Sequence, residues 1–428
     1  MKHLPAQFVT QSFILSSVFI GLIYLYASQL GLTSSVSSSF EVVSKIAIPV
    51  IVSAFIFAIW LLTKSPWLVY GLFFSISFTS LFGFTETLTG SHATSTNLIF
   101  YGLAFYTAYF AYHIQRNNLT GNNILIGANP LLLVTGPIST FFKSHAHKQF
   151  RKRLAYYLPF IVIGIFLFKV IATPLTEFFS MIELTDLASA LTFAVIFELF
   201  VYANFAGLSL MIYGLFGIAG VKIPLNFRQP FSARNLIDFW KGWHVSLSIV
   251  LKAVFYEPVK RKLNFSRFST QLAILVVFLA SAFWHGVTFN FLIWGLLHGL
   301  LFVLTLYLLK RKKVLFMVPV LLVMGVVIGR MVFADSDTAR LIEKLMFSWD
   351  ANTEVLTHML SVPKAALIAL FLGLMLMFVE FAFLRNRHVA KRNYKFLRVP
   401  FSQMVMIGLF VLLVSTSVGL DYAVYGQR

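Results

Sequence analysis

The sequence predicts an all-α integral membrane protein, and three observations carry the prediction. Of its 428 residues 59% are hydrophobic, only 11% are charged, and the apolar residues gather into runs long enough to cross a bilayer. Soluble domains average roughly 45–50% apolar and about 25% charged residues; the mean hydropathy here is +0.84. No soluble globule hides that much apolar surface. Inside lipid every backbone polar group must find its partner within the protein, which leaves helices or closed barrels. Uninterrupted apolar runs select helices, and the 48 phenylalanines suit lipid-facing and interhelical positions.

Taking ~20 apolar residues as a full crossing, candidate spans lie near 8–30, 43–63, 66–85, 97–114, 154–174, 190–219, 268–283, 289–309, 314–333, 363–384 and 400–419, about eleven in all. The first, from Phe8 to Leu30, is too long for a secretory signal core and has no convincing cleavage site, so it is expected to be retained. Two other stretches, 124–142 and 245–256, are short or interrupted and are expected to be re-entrant or interfacial. Asn129-Pro130 and Gly136-Pro137 supply the breaks a re-entrant hairpin needs.

Charge orients the chain. The formal net charge is +19, from 34 Lys+Arg against 15 Asp+Glu. The basic residues sit in short loops: Arg116 and the run His145–Arg153 flank the first short stretch, and Lys222, Arg228, Arg234, Lys241, Lys260-Arg261-Lys262 and Arg267 flank the second. Lys310–Lys313 and the Arg385–Arg398 stretch fall on the same side, whereas loops 175–189 and 334–362 are acidic. The positive-inside rule makes the basic side cytoplasmic, so a multi-pass membrane protein with lipid headgroups as partners is expected. Nucleic acid is not expected. Zero cysteines exclude disulfides, cysteine-ligated metals and an acyl-cysteine relay. No linker or repeat divides the chain, which reads as one domain, 1–428, with its informative motifs between about 129 and 299.

Two segments could carry chemistry. The first is Phe283-Trp284-His285-Gly286, continuing through Asn290 to Trp294-Gly295 and His298-Gly299. It places His285 at the turn between two apolar helices, and an ionisable residue there is a functional-site hypothesis by default. A hydrogen-bonded packing histidine, with glycines that let helices approach, is the competing reading; His298, in mid-helix, is the more easily structural of the two. The second segment runs from Asp238 through Trp240, Trp243 and His244 to Ser248. If helical, it puts Trp240, His244 and Ser248 on one face with Leu251. An interfacial helix anchored by tryptophans would explain the tryptophans but not His244 and Ser248. In acyl transfer, a hydroxyl attacking a thioester must lose its proton, and a neutral imidazole is the usual base, contributing ~10²–10⁴ in rate. A second polar group, His244 or Asn290, could orient that base or support the developing oxyanion.

These motifs, Phe239-Trp240…Trp243-His244-Val245-Ser246-Leu247-Ser248 and then Phe283-Trp284-His285-Gly286, resemble the bacterial membrane-bound O-acyltransferases, in particular those of alginate O-acetylation and of teichoic-acid D-alanylation. Asn129-Pro130-Leu131…Gly136-Pro137-Ile138 and Pro224-Leu225-Asn226-Phe227-Arg228-Gln229-Pro230-Phe231 resemble further segments of the family. The resemblance implies a ring of tilted helices around a thinned centre with a catalytic channel. It implies His285 as catalytic residue and His244 as its polar partner, with Asn290, Trp240, Ser248, Trp294 and His298 as supporting candidates. It implies no metal and no tightly bound cofactor. The donor would be acyl-CoA or an acyl thioester on a carrier protein's phosphopantetheine, and the acceptor an extracytoplasmic glycan or relay protein. Basic loops such as His145–Arg153 and Lys260–Arg267 could dock an acidic carrier. Where relatives often carry Asp-Phe-Ser-Gly-Tyr-Ser-Asp, this chain has Asn204-Phe205-Ala206-Gly207-Leu208-Ser209-Leu210, and Lys241-Gly242 replaces a frequent arginine pair.

Two other classes compete. Asp335-Ser336-Asp337 resembles the metal-binding pair of an integral glycosyltransferase, but no soluble catalytic domain accompanies it. Lys169, Glu198, Arg330 and Glu380 lie inside candidate spans, as in a transporter or polysaccharide exporter, but no repeat of two halves is present. Gly-x-Ser-x-Gly and His-Glu-x-x-His motifs are absent.

Overall fold

A computed structural model describes residues 149–181, 186–266, 268–285, 288–311, 315–334 and 359–383, together with 144–145, 404–409 and scattered single positions. The chain divides into two compact units. One gathers Met1–Tyr157, Leu215–Pro224 and Lys252–Val254; the other gathers Leu158–Gly214, Leu225–Leu251 and Phe255–Arg428.

In the first unit, β1 (Ser144–His145) and β2 (Val221–Lys222) form a two-residue antiparallel pairing in register Ser144 with Lys222 and His145 with Val221. The ribbon is two residues long on each side, and the fold class remains all-α as expected. Beside it, the Arg153 Nε–H donates to the Ile218 carbonyl over 2.8 Å, and Gly217 leaves room for Tyr157, whose ring any Cβ there would strike.

The other described elements are helices joined by loops. α1 (Phe150–Phe166) widens into a π-helical turn at Leu167–Ala172 before the short helix Thr173–Leu175. Pro174 explains the widening: it has no N–H to donate, and its ring crowds the carbonyl four residues back. The Phe168 carbonyl accepts from both the backbone N–H of Thr173 and its Oγ1, the latter at 3.0 Å. α2 (Leu187–Ala219) starts at a reciprocal cap in which Asp186 Oδ1 accepts from Ser189 N and Ser189 Oγ accepts from Asp186 N. α1 and α2 meet through Gly164 and Gly207. A Cβ on Gly164 would stand 2.6 Å from the Gly207 carbonyl oxygen, and one on Gly207 2.7 Å from that of Gly164. Small residues permit this backbone approach where apolar burial cannot drive helices together.

α3 (Leu236–Gly242) and α4 (Val245–Leu251) are separated by a sharp break. α5 (Glu257–Lys262) follows, then α6 (Ser269–His285), α7 (Phe289–Arg311), α8 (Met317–Phe333) and α9 (Lys364–Phe383). Phe150–Phe179, Leu187–Ile218, Phe289–Arg311 and Lys364–Ala382 are long and apolar enough to cross a membrane, while Ser269–Phe283 and Met317–Phe333 are apolar but shorter. These six helices coincide with the predicted spans 154–174, 190–219, 289–309, 363–384, 268–283 and 314–333. The candidates 8–30, 43–63, 66–85, 97–114 and 400–419, the stretch 124–142 and the Asp335-Ser336-Asp337 loop lie wholly or largely outside the described residues. The 245–256 stretch is α4 continued by a π-helical turn, Lys252–Tyr256.

Glycines set the packing around the site. Gly295 of α7 faces the Phe278 carbonyl and Ala282 of α6, where a Cβ would come within 2.9 Å and 2.8 Å. Gly329 of α8 abuts the His298 ring so closely that a Cβ there would overlap it. α9 closes on α2 through Gly373 against Leu199, and Glu380 accepts from the Tyr202 hydroxyl (2.8 Å) and from the Phe231 N–H (3.2 Å).

Candidate active site

The break between α3 and α4 is built by a network from a different loop. Asn235 caps α3 by accepting from Asp238 N at 2.8 Å, and α3 makes its last turn with Trp243 N donating to the Phe239 carbonyl. Trp243 is then extended, and His244 turns left-handed at φ 43°. A non-glycine residue in that region is uncommon, histidine being among the more tolerant, and it needs surroundings that hold it there.

Asn226 supplies them. Its carbonyl accepts from Val245 N (3.0 Å) and its Oδ1 from Ser246 N (2.9 Å), while Nδ1 of His244 accepts from Leu247 N (3.4 Å). The first three amides of α4, which no helical carbonyl can reach, are thereby satisfied. On the other side of the break, Arg228 N donates to the Gly242 carbonyl at 2.8 Å. The expected continuous face of Trp240, His244 and Ser248 is therefore corrected: the helix stops at Gly242 and restarts at Val245, because the Asn226–Arg228 loop offers the backbone better partners than an eighth helical residue would. Trp240 belongs to α3 and Ser248 to α4.

His285 is the last residue of α6. Its ring lies edge-to-face against Trp294 and Phe333, with centroids 5.6 Å and 4.8 Å away, and tilted on Phe291 at 5.9 Å. His244 meets Phe205 in a similar edge contact at 4.6 Å. Both histidines open onto one cavity of about 30 Å³, walled by Phe205, Trp240, Trp243 and Leu247 on one part and by Ser281, Trp294, Arg330 and Phe333 on the other. Such a volume admits about one or two water-sized groups. His244 is 5% exposed; burial pushes its imidazole below the ordinary histidine value, to about 3, and the nearby His285 acts in the same direction. With Nδ1 accepting from Leu247 N, the single proton of neutral His244 sits on Nε2.

The structure thus brings His244, His285, Trp240 and Trp294 to one cavity. His298 stands one layer behind: Nδ1 pairs with the Trp294 carbonyl at 3.0 Å and its ring packs on Trp240 and Trp294. Asn290 is fully buried in the first turn of α7, and Ser248 is partly buried in α4; neither lines the cavity. Arg330 does line it, although its sequence context suggested only an ion inside a span. Arg330 Nε donates to Glu198 Oε2, and the guanidinium lies 4.6 Å from the Trp243 ring centre. The four intramembrane ions of the transporter reading are thereby partly accounted for, since Glu198 pairs with Arg330 and Glu380 holds Tyr202 and Phe231. Among the described residues no cluster of His, Asp and Glu could hold a metal.

Residues 101–320, just over half of the chain, match the sequence pattern of the membrane-bound O-acyltransferase family. The chain belongs to that family. It is 27% identical over 289 residues to a peptidoglycan O-acetyltransferase of Helicobacter pylori, covering 55% of this chain and 54% of that protein. It is 30% identical over 111 residues to a teichoic acid D-alanyltransferase of Bacillus subtilis, covering 24% and 28%. It is 27% identical over 176 residues to a probable alginate O-acetylase of Pseudomonas aeruginosa, covering 39% and 34%. The chain thus spans about half, or less, of the length of these curated relatives. The family match encloses the α3–α4 break, the α6–α7 hairpin and eight of the ten residues that wall the cavity; Arg330 and Phe333 lie beyond it.

Proposed function

We propose that this protein transfers a small acyl group, acetyl or one of similar size, from a cytoplasmic thioester to a hydroxyl of an extracytoplasmic glycan or relay protein in the bacterial inner membrane. The observation that carries the reading is that two histidines from separate sequence motifs wall one cavity inside a membrane-bound O-acyltransferase. The named relatives act on peptidoglycan, teichoic acid and alginate, which supports an envelope polymer as acceptor.

His285 takes the acceptor's proton as its oxygen forms a bond to the thioester carbon. The tetrahedral species collapses, the C–S bond breaks, and the thiolate leaves with the proton that His285 returns. His244, protonated on Nε2, donates a hydrogen bond into the site. The donor is acyl-CoA or a carrier-bound phosphopantetheine thioester, and the exposed Arg261 and Lys262 at the end of α5 offer an acidic carrier a place to dock.

The test is the base-labile ester content of surface glycans from cells lacking the protein and from cells complemented with wild type or His285→Ala at matched membrane levels. Ester lost on deletion and restored only by wild type is the expected result; ester unchanged throughout would overturn the reading.

A further inference from the structure

The cavity holds a fixed charge that neither histidine supplies. Arg330 comes from the last turn of α8 and Glu198 from α2; they are 6% and 2% exposed and bonded to each other. Arg330 is walled by Trp243 at 4.6 Å and Phe333 at 6.0 Å, the same Phe333 whose ring touches His285. A buried ion pair is a poor device for stability, because apolar residues of like volume serve as well or better. Its place in the cavity wall calls for another reason. A guanidinium stays protonated at every physiological pH, and aromatic walls keep water from screening it. A second donor is at hand: Nε1 of Trp240, also in the wall, has no hydrogen-bond acceptor among the described residues.

We infer that Arg330, held by Glu198, stabilises the negative charge that gathers on the acyl carbonyl oxygen during transfer, with the Trp240 N–H as a second donor. The inference rests on the acyl-transfer reading. As the acceptor oxygen bonds to the carbonyl carbon and its proton passes to His285, the C=O π pair moves onto the carbonyl oxygen beside Arg330. When the pair returns, the C–S bond breaks and the thiolate takes the proton. Preorganised charge at such an oxygen acts on the transition state rather than on the bound substrate.

Initial rates of base-labile acetyl incorporation into glycan, as a function of acetyl-CoA, test this in membranes with matched amounts of wild type, Arg330→Lys and the double variant Glu198→Gln/Arg330→Met. Thermal stability is followed in parallel. The double variant removes both charges and leaves none buried alone. It is expected to unfold near the wild-type temperature while kcat falls on the order of 10²–10³-fold at unchanged KM; Arg330→Lys is expected to lose roughly tenfold in kcat for want of the planar fork. A folded double variant as fast as wild type, or slowed only through KM, overturns the assignment. Where the double variant does not fold, Arg330→Lys decides, and a wild-type kcat overturns it. Wild-type membranes that transfer no small acyl group when offered either acetyl-CoA or an acyl thioester on a carrier protein overturn the acyl-transfer reading and this assignment with it.

Discussion

His244 and His285 both stand where a helix breaks, yet the two breaks are built differently. At His244 the backbone is left-handed and each amide of the following turn has a named acceptor, two of them on Asn226. The imidazole itself is one of those acceptors. His285 is the last described residue of α6, and its ring packs against aromatic neighbours on α7 and α8. The contacts that hold the first ring include a backbone hydrogen bond, whereas the second is packed among the rings of Phe291, Trp294 and Phe333. The first histidine therefore caps α4 as well as facing the cavity.

The largest effect that would sharpen this contrast is in His285→Ala. Loss of the proposed general base is expected to lower the transfer rate about 10²–10⁴-fold, with melting temperature and membrane abundance close to wild type. His244→Ala is expected to lower both rate and stability, the latter by about 1 kcal/mol for a lost helix cap. Thermal unfolding in detergent beside glycan ester content separates the two; equal destabilisation by both substitutions would erase the distinction.

Asn226 offers an intermediate effect without touching the cavity wall. Asn226→Ala leaves Ser246 N without its acceptor in a buried place, which costs about 1–3 kcal/mol, and it releases the turn that aims His244. Activity is expected to fall with stability, and Asn226→Asp, which keeps an acceptor oxygen, to recover part of both. An Asn226→Ala protein with full stability and full activity would mean that the break holds itself.

Much of this was legible in the chain. Apolar run length located the four helices long enough to cross a membrane and the two shorter apolar ones, because span length is set by bilayer thickness and not by neighbours. The two histidine motifs were legible for a similar reason, since a polar residue in an apolar run stands out. The break at Trp243-His244 was not, because a four-residue spacing of Trp240, His244 and Ser248 is what a continuous helix would show. Only the loop at Asn226, distant in sequence, outbids the helix. Arg330 was visible as an intramembrane charge, but its placement beside the histidines depends on α8 packing against α7 through Gly329, a contact that no local pattern reports.

The smallest effect expected is a pH dependence, and it bears directly on the frame. His244 is neutral when folded because burial lowers its pKa to about 3, against 6.5 when exposed. Below about pH 6.5 the unfolded chain therefore binds a proton that the folded chain refuses, and stability falls as pH falls, by up to about 1.4 kcal/mol per unit. The loss would end only near the folded pKa. Between pH 7.5 and 5.5 wild type is expected to lose more thermal stability than His244→Gln, whose side chain does not titrate and can still accept from Leu247 N. Parallel curves for the two proteins would mean that His244 is solvated or charged in the folded state, and that Nδ1 is not the acceptor on which α4 is built.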